Sequence, residues 1–205
     1  MRILTILTSL ALVSSAAGEQ FWIEYNASCG LFPEECGWNR LAMGGGAERS
    51  LEGGVLTLDG LASTDIVDDY DIVHPIDLAP GESFVMQWRL RVDEVPGFMD
   101  PAVAAWSEGY GRILLSYSES AIYSDLERIW IANFEPHVFH DYRLVSEDLL
   151  SYTLSIDGSV VYTGQMVSPS YTQASGGAIR QWGGGVGQFG SMSRLEWFRN
   201  PPQLC

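Results

Sequence analysis

The sequence predicts an all-β protein built as a two-sheet antiparallel sandwich or jelly roll. Three observations predict it. Apolar residues alternate with polar ones along many short segments, and close-set Gly, Pro-Gly and Asp-Gly signals separate those segments. No stretch sustains a 3.6-residue apolar period; the best helical candidate, Asp125 to Ile129, is one turn at most. Strands with one apolar face bury it by packing one sheet on another.

Taken in order, the chain opens on Met1-Arg2, an apolar run from Ile3 to Val13 and the small residues Ser14 to Gly18. These are the three regions of a secretory signal, so residues 1–18 are expected to be removed and 19–205 to form one exported domain. The apolar run is about half of the roughly 20 residues a spanning helix needs, and no second run exists, so no membrane insertion is expected. Phe21 to Tyr25 is the first short strand. Cys29 and Cys36 then bracket the turn-forming Gly30-Leu31-Phe32-Pro33-Glu34-Glu35. In an oxidising compartment they are candidates for a disulfide; pairing of either with Cys205, or free thiols, are the alternatives.

Val55 to Leu58 follows the Gly53-Gly54 turn. Ser83 to Asp93 gives the strongest pattern, with Phe84, Met86, Trp88, Leu90 and Val92 alternating with Gln87, Arg89, Arg91 and Asp93. Ala102 to Trp106, Arg112 to Tyr117, Arg128 to Asn133 and Phe139 to Val145 repeat the theme. Leu150 to Ile156 runs into Asp157-Gly158, the strongest short hairpin signal, and Val160 to Tyr162 returns. Ala178 to Trp182 and Met192 to Arg199 complete the set. Gly185-Val186-Gly187-Gln188-Phe189-Gly190 matches G-x-G-x-x-G, but a dinucleotide site needs that loop to open a helix in a βαβ unit. Here a strand pattern follows, so the glycines are read as a tight turn between strands.

Charge narrows the partners. The chain has 26 acidic and 11 basic residues, every basic one Arg, and a formal charge of −15. Such a balance excludes nucleic acid, which needs a basic stripe to displace counterions, and adhesion to anionic lipid. A hydrophobic fraction of 46% with 18% charged residues excludes a disordered chain.

The order of the segments resembles the concanavalin A-like, laminin-G-type jelly rolls of secreted bacterial proteins. The resemblance rests on Gly53-Gly54-Val55-Leu56-Thr57-Leu58-Asp59-Gly60, Phe84 to Val92, Phe139-His140-Asp141-Tyr142-Arg143-Leu144, and Ser155-Ile156-Asp157-Gly158-Ser159-Val160-Val161. Trp182-Gly183-Gly184-Gly185 and Arg194 to Arg199 extend it, so residues 50–200 are covered in a consistent order. It implies lectins, carbohydrate-binding modules, hydrolases, lyases or adhesion domains; the fold does not choose among them.

Retaining glycosidases of this fold carry E-x-D-x-x-E or E-x-D-x-E on one strand, and this chain has neither. Arginines beside aromatics are what a sugar platform uses, a ring for the apolar sugar face and a planar fork for hydroxyls or carboxylates. Gln87, Arg89 and Arg91 share the polar face of their strand. Arg128 with Trp130, Arg143, and Arg180 with Trp182 stand on other strands, as do His140 and Tyr142, same-face residues at spacing two. The expectation is a glycan-binding module with its site on the concave sheet, Trp130 and Trp182 stacking and Arg89, Arg91, Arg128 and Arg180 fixing polar groups. An extracellular structural or interaction domain, with its arginines paired to protein acids, is the alternative; a hydrolase or lyase is the third reading, the lyase using His140 and Tyr142. His137 and His140 at i, i+3 fall on opposite faces of a strand and do not share a metal. The acidic run Asp65, Asp68, Asp69 and Asp71 is the one candidate calcium site, the alternative being a solvated loop.

Overall fold

The structure is a computed structural model. It describes residues 23–43, 47–59, 67–73, 84–94, 102–107, 111–118, 120–124, 127–133, 135, 137–166, 176–182, 186–189 and 194–197. The signal-like segment 1–18, Asp65 and Cys205 lie outside the described residues.

Sixteen strands are found among the described residues. In chain order they are β1 (Ile23–Glu24), β2 (Asn39–Met43), β3 (Glu48–Glu52), β4 (Val55–Asp59), β5 (Val67–Val73), β6 (Phe84–Glu94), β7 (Ala102–Ser107) and β8 (Gly111–Tyr117). The second half supplies β9 (Ala121–Ser124), β10 (Ile129–Asn133), β11 (His140–Ser146), β12 (Ser151–Ile156), β13 (Ser159–Gln165), β14 (Gly176–Trp182), β15 (Val186–Phe189) and β16 (Arg194–Trp197). Nine of them make one sheet, in the order β13-β12-β11-β6-β15-β4-β3, with β16 also beside β6 and β1 beside β16. The other seven run β10-β9-β8-β7-β14-β5-β2. The fold class read from the sequence, an all-β antiparallel sandwich, is the one observed. No helix among the described residues is long and apolar enough to cross a membrane.

The alternation of β6 organises the core. Met86, Trp88, Leu90 and Val92 are buried, whereas Gln87, Arg89, Arg91 and Asp93 are half-exposed on the other face. Leu56, Leu58, Tyr142, Leu144, Tyr152 and Leu154 join them from the nine-stranded sheet, and Ile113, Leu115, Tyr117 and Ile122 meet them from the seven-stranded one. Trp88 lies at the centre, stacked on Tyr142 at 5.4 Å with 5° between ring planes and donating its indole N–H to the Tyr117 hydroxyl at 2.8 Å. Tyr117 meets Tyr142 edge-on at 5.5 Å. Burial pushes the phenols of Tyr117 and Tyr142 far above the ordinary tyrosine range, with the neighbouring phenol adding for Tyr117 and Asp157 for Tyr142.

One margin of the sandwich is closed by a carboxylate. Glu127, in the turn between β9 and β10, accepts the hydroxyls of Tyr152 (2.5 Å) and Ser124 (3.0 Å) on Oε2. Its Oε1 accepts the Tyr162 hydroxyl (3.1 Å) and the Gln165 N–H (2.9 Å). Four donors saturate a carboxylate's four acceptor sites. To reach it, the Tyr152 ring lies across β13 at Gly164, its register partner, where a Cβ would sit 2.6 Å from the ring. The turn itself requires Arg128 in the left-handed region, φ +58°.

Several local expectations need correction. Cys29 and Cys36 are not bridged to each other. Each ends a separate 3-10 turn, Ala27–Cys29 and Pro33–Cys36, and a left-handed glycine, Gly30 or Gly37, redirects the chain after it. Of the helical candidate Asp125 to Ile129, Asp125 and Leu126 lie outside the described residues, Arg128 is in the left-handed region and Ile129 already belongs to β10. Val186–Phe189, within the stretch read as a tight turn, is a strand between β4 and β6. The run Asp68 to Asp71 lies within β5, not in a loop.

Candidate functional site

The nine residues expected to make one site fall on three surfaces. Gln87, Arg89 and Arg91 are on the outward face of β6 in the nine-stranded sheet. There Arg89 lies 3.8 Å from Asp141, its partner on β11, and Arg91 holds Asp93 through Nε at 2.8 Å. Both guanidinium groups sit over the Phe139 ring, at 5.5 and 5.1 Å. Trp130, Arg180 and Trp182 belong instead to the seven-stranded sheet, and Arg128 is exposed in the turn that enters it. Two sheets packed face to face turn their outward faces in opposite directions, so the two sets do not meet.

His140 and Tyr142 do share a face of β11, but it faces inward. They pair with Leu90 and Trp88, both core residues. Tyr142 is 2% exposed and its hydroxyl is without a hydrogen-bond partner, as suits a ring placed for stacking. His140 is held within its sheet: Nδ1 is 2.6 Å from Asp157 Oδ2 and Nε2 is 2.9 Å from the Glu135 carbonyl.

Asp157 (φ +50°) and Gly158 (φ +78°) form the hairpin tip expected from sequence. Its other carboxylate oxygen accepts the Asp141 N–H at 2.9 Å, so this one side chain ties the hairpin to β11. Burial alone would raise the Asp157 carboxyl, but the Asp141 N–H, His140 and Arg89 together hold it below its ordinary value. Asp157→Ala is expected to cost about 1–2 kcal/mol, from the lost hydrogen bonds and the left-handed backbone. With its folded pKa depressed, the carboxylate stabilises above the unfolded value of about 3.9, and this is lost as pH falls through the folded value. Urea unfolding of both proteins at about pH 7 and about pH 2 checks it; an equal gap at both would contradict the assignment.

On the seven-stranded sheet, one register row crosses every strand. It reads Leu41, Asp69, Arg180, Ala102, Ser116, Tyr123, Trp130. Directly opposed residues lie on the same face of a sheet. That face is the outward one, because Ile113, Leu115 and Tyr117 take the alternate, core-facing positions of β8. At one end Trp130 is 52% exposed, with the Tyr123 ring 5.0 Å away at 60°. The middle of the row is small, Ala102 and Ser116, and the next row adds Ala178 and Ala104. At the far end Arg180 stands opposite Asp69, with Trp182 two positions along the same face. The sequence reading missed Tyr123, whose ring stands beside Trp130; Ser116, on the same register row, is buried.

No cluster of three metal-ligating side chains occurs among the described residues. In β5, Asp69 and Asp71 fall on the outward face and Asp68 on the other, since it pairs with Gln181. The outward positions of β8 are Arg112, Leu114 and Ser116, so the strand carries no row of acids for double displacement.

No family model matches the chain, and no curated protein matches it. Solved structures do. A sialidase is 13% identical, covering 87% of this chain and 18% of that one, with a TM-score of 0.62. The carbohydrate esterase vb_24B_21 from Shiga toxin-encoding bacteriophage phi24B is 12% identical over 87% of this chain and 99% of that one, at a TM-score of 0.59. The binding domain of botulinum neurotoxin DC, solved in complex with SialylT, is 6% identical over 78% of this chain and 42% of its own, at 0.52. The chain thus spans under a fifth of that sialidase. These likenesses establish the fold, in agreement with the concanavalin A-like jelly roll that the sequence resembles.

Proposed function

We propose that the chain is an exported glycan-binding module whose site is the outward face of the seven-stranded sheet, centred on Trp130. The observation that carries this reading is the register row from Trp130 and Tyr123, over small residues, to Arg180 and Asp69. An exposed indole backed by a second ring gives the apolar side of a sugar a surface to stack on. Arg180 and Asp69, further along the same register row, are polar residue types at a distance of several strands, each about 4.8 Å apart. The shared fold supports the reading, since it includes a neurotoxin binding domain solved with SialylT. The absence of acids at the outward positions of β8 favours binding over hydrolysis.

A glycan array on the protein from Glu19 onward tests it, with Trp130→Ala and Trp182→Ala alongside. Saturable binding to at least one neutral glycan is expected, weakened about tenfold or more by Trp130→Ala with no change in melting temperature. Binding unmoved by Trp130→Ala would overturn the site, and a folded protein that binds no glycan would overturn the function. The same array run with calcium and with chelator is expected to agree, because calcium takes six to eight oxygens and β5 presents only Asp69 and Asp71 on this face.

A further inference from the structure

We propose that the Trp130 face prefers a sugar bearing a carboxylate and that Arg128 is the residue that recognises it; this rests on the glycan-binding reading above and names its ligand class. Arg128 lies in the turn between β9 and β10, two residues before Trp130. Two residues span at most about 7 Å, so a guanidinium beside the indole is within side-chain reach. The turn is tightly made. Ser124 Oγ accepts the Glu127 N–H at 3.3 Å and donates to Glu127 Oε2 at 3.0 Å, and the Ser124 carbonyl accepts the Arg128 N–H at 2.7 Å. Arg128 itself takes φ +58°, the left-handed region in which a Cβ crowds the following carbonyl and glycine is the ordinary occupant. The turn thus keeps a long side chain where the backbone favours none, and strain of this kind is concentrated at ligand clamps.

What that side chain offers is an uncommitted positive charge. Arg49 holds Glu34, Arg89 lies beside Asp141 and Arg91 holds Asp93. Arg40, Arg112 and Arg143 are engaged as well. Among the described residues, Arg128 is the arginine whose guanidinium has no ion-pair, hydrogen-bond or ring partner, and it is exposed. The acid next to it, Glu127, is already saturated by the hydroxyls of Tyr152, Ser124 and Tyr162 and by the Gln165 N–H. Those four bonds come from both sheets, so Arg128 is carried on an anchored backbone. The remainder of the −15 charge acts weakly here, because exposed charges more than about 8 Å away are screened at physiological salt.

The indole and the guanidinium divide the work of recognition. Trp130 is 52% exposed, and the Tyr123 ring stands 5.0 Å from it. A sugar laid on the indole turns its apolar face to the ring and its polar substituents to the edge. A guanidinium at that edge meets a carboxylate in two parallel hydrogen bonds, a match that a hydroxymethyl group in the same place does not make. A sugar without the carboxylate still stacks, but more weakly.

The test is an array printed in pairs, each hexuronate oligosaccharide and each sialoside beside its carboxyl-reduced counterpart, probed with the full chain and two variants. At least one acidic member is expected to bind about tenfold or more tightly than its reduced partner, and the class to which it belongs identifies the source of the carboxylate. Arg128→Gly is expected to bring that ratio to within about twofold without lowering the melting temperature, because glycine takes φ +58° without strain. Trp130→Ala is expected to remove binding of both members. Equal binding of the two members by the unaltered chain, or a preference that survives Arg128→Gly, would overturn the proposal and leave the Trp130 reading standing. Binding that survives Trp130→Ala, or a folded protein that binds no member of any pair, would overturn both.

Discussion

Trp88→Ala is expected to remove about 3–5 kcal/mol of folding stability, the largest loss from any single truncation in this domain. The indole is fully enclosed, so its removal leaves a cavity between the sheets as well as forfeiting transfer free energy. It also strips the Tyr142 ring of its stacking partner and the Tyr117 hydroxyl of the N–H it accepts. Trp88→Phe separates these contributions. It keeps a ring against Tyr142 but deletes the donor, and is expected to cost about 1–3 kcal/mol. Guanidinium unfolding monitored by far-UV dichroism measures both. If the two substitutions destabilise equally, the hydrogen bond dominates and the stacking assigned to the ring is unimportant; a loss under about 2 kcal/mol for the alanine variant would mean that the sheets collapse onto the gap.

Glu127→Ala is expected to cost about 2–4 kcal/mol, a large effect for a polar residue in a turn. Its carboxylate is the common acceptor for Tyr152, Tyr162, Gln165 and Ser124, and so joins the β9–β10 turn to the β12–β13 margin of the other sheet. Burial, and after it the carboxylate that accepts its proton, push the Tyr152 phenol far up, so this hydroxyl stays a donor throughout the stable range of the protein. With Glu127 removed, that buried hydroxyl has lost its acceptor. Gly164→Ala attacks the same seam from the other side, by pushing the Tyr152 and Tyr162 rings away from the backbone. The double variant is therefore expected to lose less than the sum of the singles, because the second change has less to break. Strict additivity in a thermal-melt cycle would show that ring and carboxylate do not act together.

How much of this was legible in the sequence follows from what period-two alternation can report. It marks strands with one buried and one wet face, and β6, β11 and β12 were readable for that reason, as was the Asp157-Gly158 turn. It misses strands whose outward residues are acidic or whose burial is weak. β5, Val-Asp-Asp-Tyr-Asp-Ile-Val, reads as a loop because Asp is disfavoured in strands, yet it is held on both sides by β14 and β2. β2 and β3 are the outermost strands of their sheets and carry little apolar pattern. The site residues were recognisable by type, Arg beside aromatic, but their grouping was not. Whether Trp130 stands with Arg89 or with Arg180 depends on which distant strands pair, and no local pattern records that.

The central strand β6 also bears on how the chain reaches its native state. On one side it is joined by β11, and on the other by β15 and β16, the last strands described, with β16 in turn covered by β1. Residues near 25, 90 and 190 must therefore come together before the middle of the sheet is closed. Chain closure over such separations has to be completed before its contacts repay the entropy, which places the domain among slow folders with a high contact order. During synthesis the hairpin β12–β13 and its neighbour β11 are made well before β15, so β6 waits with one edge open until β15 and β16 emerge. An unpaired edge of eleven residues is a template for pairing with another molecule. The interval between the appearance of β6 and the arrival of β16 is thus when this protein is most exposed to aggregation.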